Sequence, residues 1–330
     1  MIESHLQHEM TFSNAISGLR MRCLNCGGGS LLPENVLESS YRCCDCGFLI
    51  AEKAGIFRTL RPERRAYFER FIEQYSAVRA REGRGSSSSD YYLALPFRDI
   101  TGNNSWQWNI RGRTFRHIER YLLPGIEREY SDGCDVLDLG AGNCWLSYRL
   151  ALRGHRAVAV DLVDNEADGL GAGMHYLRHL DRPFPRFHAE MDFLPFEDAQ
   201  FDVAIFNASF HYSVDYEVTL AETLRCLRRP GYVLIADSAF YAREESGRAM
   251  LEEKRASFKQ RFGFESDSIP SREYLTPEIL SHLAQRFALQ WKVLRPWYGF
   301  DWALRPIKAR LARKRAPSRF YIFWAKVGSR

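Results

Sequence analysis

Ten consecutive residues, Val136-Leu137-Asp138-Leu139-Gly140-Ala141-Gly142-Asn143-Cys144-Trp145, constrain the fold of this chain more than any other stretch. A short apolar run carrying an acid gives way to a glycine-rich turn, which opens directly into a helical pattern from Trp145 to Leu152. Strand, tight turn and helix in that order place a nucleotide-like ligand at the carboxyl end of a parallel strand. Gly140 and Gly142 let the backbone turn sharply and come close to a ligand, where a Cβ would stand in the way. Dinucleotide-binding folds use a similar turn, so the glycines alone do not choose the ligand.

The downstream order does more. Arg156 to Asp161 reads as a second buried strand ending in an acid, about twenty residues after the glycines. Ala189-Glu190-Met191-Asp192-Phe193-Leu194-Pro195-Phe196 follows, then the strand Phe201 to Phe206, which runs into Asn207-Ala208-Ser209-Phe210-His211. A helical pattern then leads to Leu227-Arg228-Arg229-Pro230-Gly231 and the strand Tyr232 to Asp237. A nicotinamide enzyme accounts for this series less well. Asp138 precedes the glycines, and the Asp192 and Asn207 segments have no place in such an enzyme.

Over residues 111–327 the series resembles the class I S-adenosylmethionine-dependent methyltransferases, specifically the broad UbiE-like group with an "LPF…FD" segment before the fourth strand. The resemblance implies an α/β fold, a seven-stranded Rossmann-like sheet with helices on both faces. It implies that Asp138, Gly140 and Gly142 hold the amino-acid end and ribose side of S-adenosylmethionine, and that Asp161 accepts both ribose hydroxyls. Leu162 would lie on the adenine, Asp192 would accept the adenine amino group and Phe193 would border the ring. Asn207 would sit beside the methyl. Cys144 replaces the third glycine of the family's motif, with tighter packing and retained binding expected. Such a transfer is an in-line displacement that rests mainly on positioning. His211, near the fourth strand's end, is the candidate base where the acceptor must lose a proton. Tyr91, Tyr92, Trp106, Trp108 and Arg111 are expected to cover the pocket.

Ahead of this core, Cys23-x2-Cys26 and Cys43-x2-Cys46 stand sixteen residues apart, with Gly27 and Gly47 just after each pair. Two such knuckles make a closed tetrahedral four-sulfur site suited to Zn2+, a zinc ribbon. A segment this short has little core, so the metal would supply most of its folding energy. Its site has no open coordination position, which points to structure or recognition and not to catalysis. Chelation is expected to unfold the ribbon and leave the core's ligand site intact.

The chain thus divides into a mobile lead-in (1–20), the ribbon (21–57), a stretch of helix, Ser-rich linker and aromatic segment (58–110), and the methyltransferase domain (111–330). Pro62 to Ala80 reads as an amphipathic helix, Arg81 to Asp90 as a flexible linker, and Gly112 to Leu123 as a further helix. Thr276-Pro277-Glu278 reads as the start of a helix reaching Phe287. Segments Leu289–Leu294 and Arg319–Val327 would close the sheet as its last hairpin.

No apolar run approaches the length of a membrane span, and residues 1–10 lack a signal-peptide core. These features read as cytoplasmic, where thiols stay reduced. Net charge is +5, unevenly placed: from Arg295 onward there are ten Lys/Arg and one acid, Asp301. That basic run can meet phosphate on RNA or on a lipid surface, or simply form a solvated face. Three functions follow. The favoured one is methyl transfer to a small-molecule or lipid-like acceptor, with the ribbon structural or capping the substrate. The second is an rRNA base methyltransferase that grips RNA with ribbon and basic run. The third is a non-catalytic methyltransferase-like scaffold.

Overall fold

The computed structural model describes residues 18–29, 31–35 and 40–328. The lead-in lies, as far as residue 17, outside the described residues. In chain order the elements are β1 (Leu31–Asn35), β2 (Ser40–Cys43), β3 (Leu49–Lys53), β4 (Ile56–Arg58), α1 (Pro62–Arg81), α2 (Ser89–Ala94), α3 (Ser105–Tyr121) and α4 (Leu123–Glu129). Then come β5 (Asp135–Leu139), α5 (Trp145–Ala151), β6 (Arg156–Asp161), α6 (Met174–Leu177), β7 (Arg186–His188) and β8 (Phe201–Asn207). The chain continues through α7 (Tyr216–Cys226), β9 (Leu227–Ala236), α8 (Glu244–Phe262), α9 (Pro277–Phe287), β10 (Lys292–Leu294), α10 (Phe300–Leu311) and β11 (Ile322–Val327).

β5 is buried on both faces because it is a central parallel strand, flanked by β6 and β8. The core sheet runs β7-β6-β5-β8-β9-β11-β10, parallel through β9 and antiparallel thereafter. Two apolar layers cover its faces. One packs Phe115, Ile118, Trp145 and Leu146 against Val136 and Ala159. The other packs Leu220, Leu224, Leu280 and Leu283 against Leu137, Val160 and Val233. Side-chain caps fix two of the helices. Asp215 accepts from the Glu217 and Val218 amides at the start of α7, and Thr276 accepts from Ile279 with Pro277 in the first turn of α9.

The ribbon does not stand apart as a module. β4 pairs in parallel with β7, Ile56 with Arg186 through Arg58 with His188, so the sheet continues into the ribbon and has eleven strands. Phe57 stacks on Phe187 with ring centres 5.0 Å apart. Buried Arg186 donates to the Ala54 carbonyl of the ribbon at 3.0 Å and to the Leu170 carbonyl of the core at 2.8 Å. Arg22 pairs with Glu222 on α7 at 2.6 Å. The edge of a parallel sheet offers unpaired backbone groups, and the ribbon covers that edge.

Two further expectations change. The Ser-rich segment is an ordered strap and not a loose linker: Arg84 is buried and paired with Glu82, and the Tyr92 hydroxyl shares its one proton between the Ser86 and Ala167 carbonyls, 2.9 and 2.7 Å away. Helix α3 begins at Ser105, seven residues before Gly112, because Trp108 in that stretch extends its buried face together with Ile110.

Candidate functional site

The glycine turn has the geometry its composition demands. Gly140 has φ +72°, and a Cβ there would lie 2.2 Å from Ser209 Cβ. Gly142 has φ +53°, with nothing nearer than 3.7 Å. Cys144, in the place of a third glycine, also adopts a left-handed backbone, φ +64°, and is fully buried. A non-glycine residue pays about 1 kcal/mol for that conformation, offset here by burial of its thiol.

At this turn lies a cavity of about 90 Å³, bordered by Gly140, Gly142, Asp161, Leu162, Met191 and Asn207 among others. Asp161 ends β6 and faces back to the turn, accepting from the Gly142 amide at 2.8 Å and the Val163 amide at 2.7 Å. Burial raises its carboxyl to about 6, against the lowering effect of those amides. Asn207 ends β8 with its side-chain oxygen buried and unpartnered. An orphaned acceptor on a cavity wall calls for a donor from a ligand.

A second cavity, of about 310 Å³, adjoins the first. Phe71, Tyr75, Arg79, Arg111, Ala208 and Tyr212 border both. Four of those six come from α1 and α3, so elements N-terminal to the glycine turn roof the site. Arg79 pairs with buried Asp168, which fixes α1 over the turn. Arg111 stacks on Trp108 and forms no salt bridge among the described residues. Burial, then repulsion by Arg79 and Arg84, pulls its guanidinium down to about 10.

The larger cavity holds a carboxylate that sequence reasoning passed over. Asp237 follows β9 directly, is 6% exposed, and adopts a left-handed backbone of φ +52°. Its Oδ1 accepts from Thr114 Oγ1 at 2.6 Å, while Oδ2 is buried without a partner. Burial raises its carboxyl to about 6, moderated by Thr114 and Arg111. Ala208, φ +57°, makes the same turn on the neighbouring strand, where Asn207 is in register with Ala236. The available signal was the one that marked Asp161: an acid closing an apolar strand.

Several expected site residues sit elsewhere. Asp138 borders neither cavity; it is buried, accepts from Ser147 Oγ at 2.7 Å, and burial raises it to about 7. It braces the start of α5. Asp192 turns away to the Thr219 hydroxyl. The ring of Phe193 lies between the guanidinium groups of Arg22 and Arg61, at 4.9 and 5.4 Å. Neither borders the smaller cavity, whose wall at that point is Ala189 and Met191. The strand ends at His188, and the alternation of the residues after it decides which side chains face inward. His211 does line the larger cavity, but burial and the nearby Lys254 and Arg111 cations push it down to about 3. A ring so reluctant to take a proton is a poor base. Of the aromatic segment, Trp106 and Arg111 reach the cavity, whereas Tyr91, Tyr92 and Trp108 are buried in the core.

The four ribbon cysteines converge. Their sulfurs all lie within 4.8 Å of one another, with Cys23–Cys46 and Cys26–Cys43 at 3.5 Å. Tetrahedral zinc thiolates at about 2.3 Å from the metal need sulfurs about 3.8 Å apart, so the set fits that ion. Cys44 is exposed and outside the cluster.

Residues 137–235 match the family described as "Methyltransferase domain". No curated protein matches the chain. Among solved structures, the chain is similar to a 1,6-didemethyltoxoflavin-N1-methyltransferase of Burkholderia thailandensis, crystallised with 1,6-didemethyltoxoflavin and S-adenosylhomocysteine (16% identity, 87% of this chain, 99% of that chain, TM-score 0.45). It is similar to the complex between the Trm112 methyltransferase activator and a putative methyltransferase of Haloferax volcanii (16%, 74% and 99%, TM-score 0.46). A third is a SAM-dependent methyltransferase of Thermotoga maritima described as a possible histamine N-methyltransferase (15%, 79% and 99%, TM-score 0.43).

Proposed function

We propose that this chain, whose residues 137–235 match a methyltransferase domain, transfers the methyl of S-adenosylmethionine to a compact small-molecule or lipid-like acceptor held in the larger cavity. One observation carries the reading: two adjoining cavities share a wall, and buried, unpartnered oxygens line both, Asn207 Oδ1 in the smaller and Asp237 Oδ2 and Gln74 Oε1 in the larger. The larger has the size of a small-molecule site and aromatic walls from Phe71, Trp106, Tyr212 and Phe258.

In this reading the smaller cavity receives S-adenosylmethionine. Asp161 takes the ribose hydroxyls, Leu162 and Met191 border the adenine, Gly140 and Gly142 leave room for the amino-acid end, and Asn207 Oδ1 accepts from an N–H. Bound there, the cosubstrate supplies an electrophilic methyl group. Arg111, on both walls, is free to meet a carboxylate. Asp237 Oδ2 takes the proton that an N–H or O–H acceptor gives up, and Thr114 orients that carboxylate through Oδ1. The roof of α1 and α3 excludes water.

The cysteine cluster takes Zn2+ and has a structural role, ordering the strands that extend the sheet and the start of α1. We place the protein in the cytoplasm, where the four cluster thiolates and the four cysteines outside the cluster, Cys44, Cys134, Cys144 and Cys226, would stay reduced. The test is transfer of labelled methyl from S-adenosylmethionine to fractionated cell extract. Label in the small-molecule or organic fraction is expected. Label confined to RNA would overturn the acceptor reading, and an inability to bind S-adenosylmethionine would overturn the whole.

A further inference from the structure

Helix α10 is amphipathic in the wrong sense for a helix that only packs. Trp302, Arg305 and Ala309, at i, i+3 and i+7, are half-buried, and Trp302 meets Tyr298 and Phe320 with ring centres 5.1 and 5.2 Å away. The opposite stripe, Phe300, Leu304, Ile307 and Leu311, is apolar and exposed by 79, 42, 57 and 81%. Trp297 joins it, 57% exposed and edge-on to Phe300 at 5.3 Å. A surface helix ordinarily turns its apolar stripe inward and its charges outward; here the outward face is the apolar one.

Charge flanks that stripe. Lys308 and Arg310 stand on either side of it, and Arg313 and Lys314 follow the helix, all exposed. Arg310, Arg313 and Lys314 form no salt bridge among the described residues, whereas Lys308 reaches Asp301 and Arg315 reaches Glu253. From Trp302 to the last residue of the sequence there is no acid. An apolar face carrying Trp, Phe and Leu, bordered by snorkelling cations, fits the plane of a lipid surface. No described helix is long and apolar enough to cross a membrane. RNA would use the cations and leave four apolar side chains in water. A second copy of the same face would bring like charges together.

We propose that α10 and the basic residues after it dock this protein on an anionic lipid surface. The same placement brings the rim of the larger cavity to the lipid. Trp106 borders that cavity, is 60% exposed, and lies 5.8 Å from Trp302; Phe320 is part of the same wall. Read with the acceptor assignment above, this favours an acceptor carried in the lipid. That consequence rests on the functional reading, while the docking does not.

The test is flotation of the full-length protein with vesicles of phosphatidylcholine alone or with about 30% phosphatidylglycerol. Binding to the anionic vesicles is expected to exceed that to neutral ones by at least about tenfold, and to weaken with added salt. Ile307→Asp with Leu311→Asp is expected to reduce it at least about tenfold. Arg313→Gln with Lys314→Gln is expected to cost about fivefold per charge. S-adenosylmethionine affinity serves as the folding control for both pairs. Equal binding to both vesicle types, undiminished binding of Ile307→Asp with Leu311→Asp, or self-association abolished by that pair would each overturn the proposal. So would binding of a single-stranded RNA oligonucleotide without vesicle binding. Loss of methyl transfer with vesicle binding intact would count against the acceptor reading alone.

Discussion

Gly140 and Gly142 are interchangeable in a motif and different in the fold, and substituting alanine at each separates two costs. At Gly142 the added Cβ finds its nearest neighbour, the Asp168 carbonyl oxygen, at 3.7 Å, so only the left-handed backbone (φ +53°) is penalised. That is about 1 kcal/mol. At Gly140 the same backbone cost applies (φ +72°), and the Cβ would also lie 2.2 Å from Ser209 Cβ and 2.9 Å from its Oγ. Ser209 is 4% exposed, and its hydroxyl donates to the Leu139 carbonyl at 2.5 Å. Moving it overpacks a filled site, about 1–3 kcal/mol, and leaves a buried hydroxyl unsatisfied, about 1–3 kcal/mol more. Gly140→Ala is therefore expected to destabilise by about 3–7 kcal/mol and Gly142→Ala by about 1 kcal/mol. Guanidinium unfolding without ligand measures both, compared at equal slopes. A difference below about 1 kcal/mol, or the reverse order, would refute the packing argument.

Further outcomes are expected. In the proposed reading ribose hydroxyls donate to an ionised Asp161, whose carboxyl burial raises to about 6. S-adenosylmethionine affinity should then be full above about pH 6 and fall up to about tenfold per unit below it, as titration calorimetry across pH reads; Asp161→Ala should lose well over tenfold and flatten the profile. Asp237→Asn should cut turnover at least about a hundredfold with the S-adenosylmethionine affinity unchanged. Removing a hydrogen bond that lowers Asp237, by Thr114→Val, should move the acidic limb of kcat to higher pH; a stationary limb would argue against Asp237 as the proton acceptor. Finally, Cys43→Ser or chelation should weaken S-adenosylmethionine binding, because β4 leads within three residues into α1, which roofs both cavities. Unchanged affinity would restore the ribbon to the independent module that its sequence implies.

Local chemistry was legible in the sequence. The glycine turn, the acid closing β6, the order of parallel strands and the paired cysteines are each dictated by neighbours along the chain: a left-handed turn needs glycine, a buried parallel strand needs a continuous apolar run, and a four-sulfur site needs two knuckles. Tertiary structure decided which strand-end acids face a cavity. Asp138, Asp161 and Asp237 all lie at or just beyond the carboxyl end of a core strand, yet Asp138 braces α5 while the other two line cavity walls. Local pattern does not set that direction, because it depends on what packs against each face of the sheet. The same holds for Phe193, drawn between two arginines, and for α1, whose aromatic face reads as core until the fold lays it over both cavities. The docking of β4 on β7 was hidden for a similar reason. Backbone pairing at an open sheet edge uses groups that every residue carries, so the side chains of either strand alone do not announce the partner.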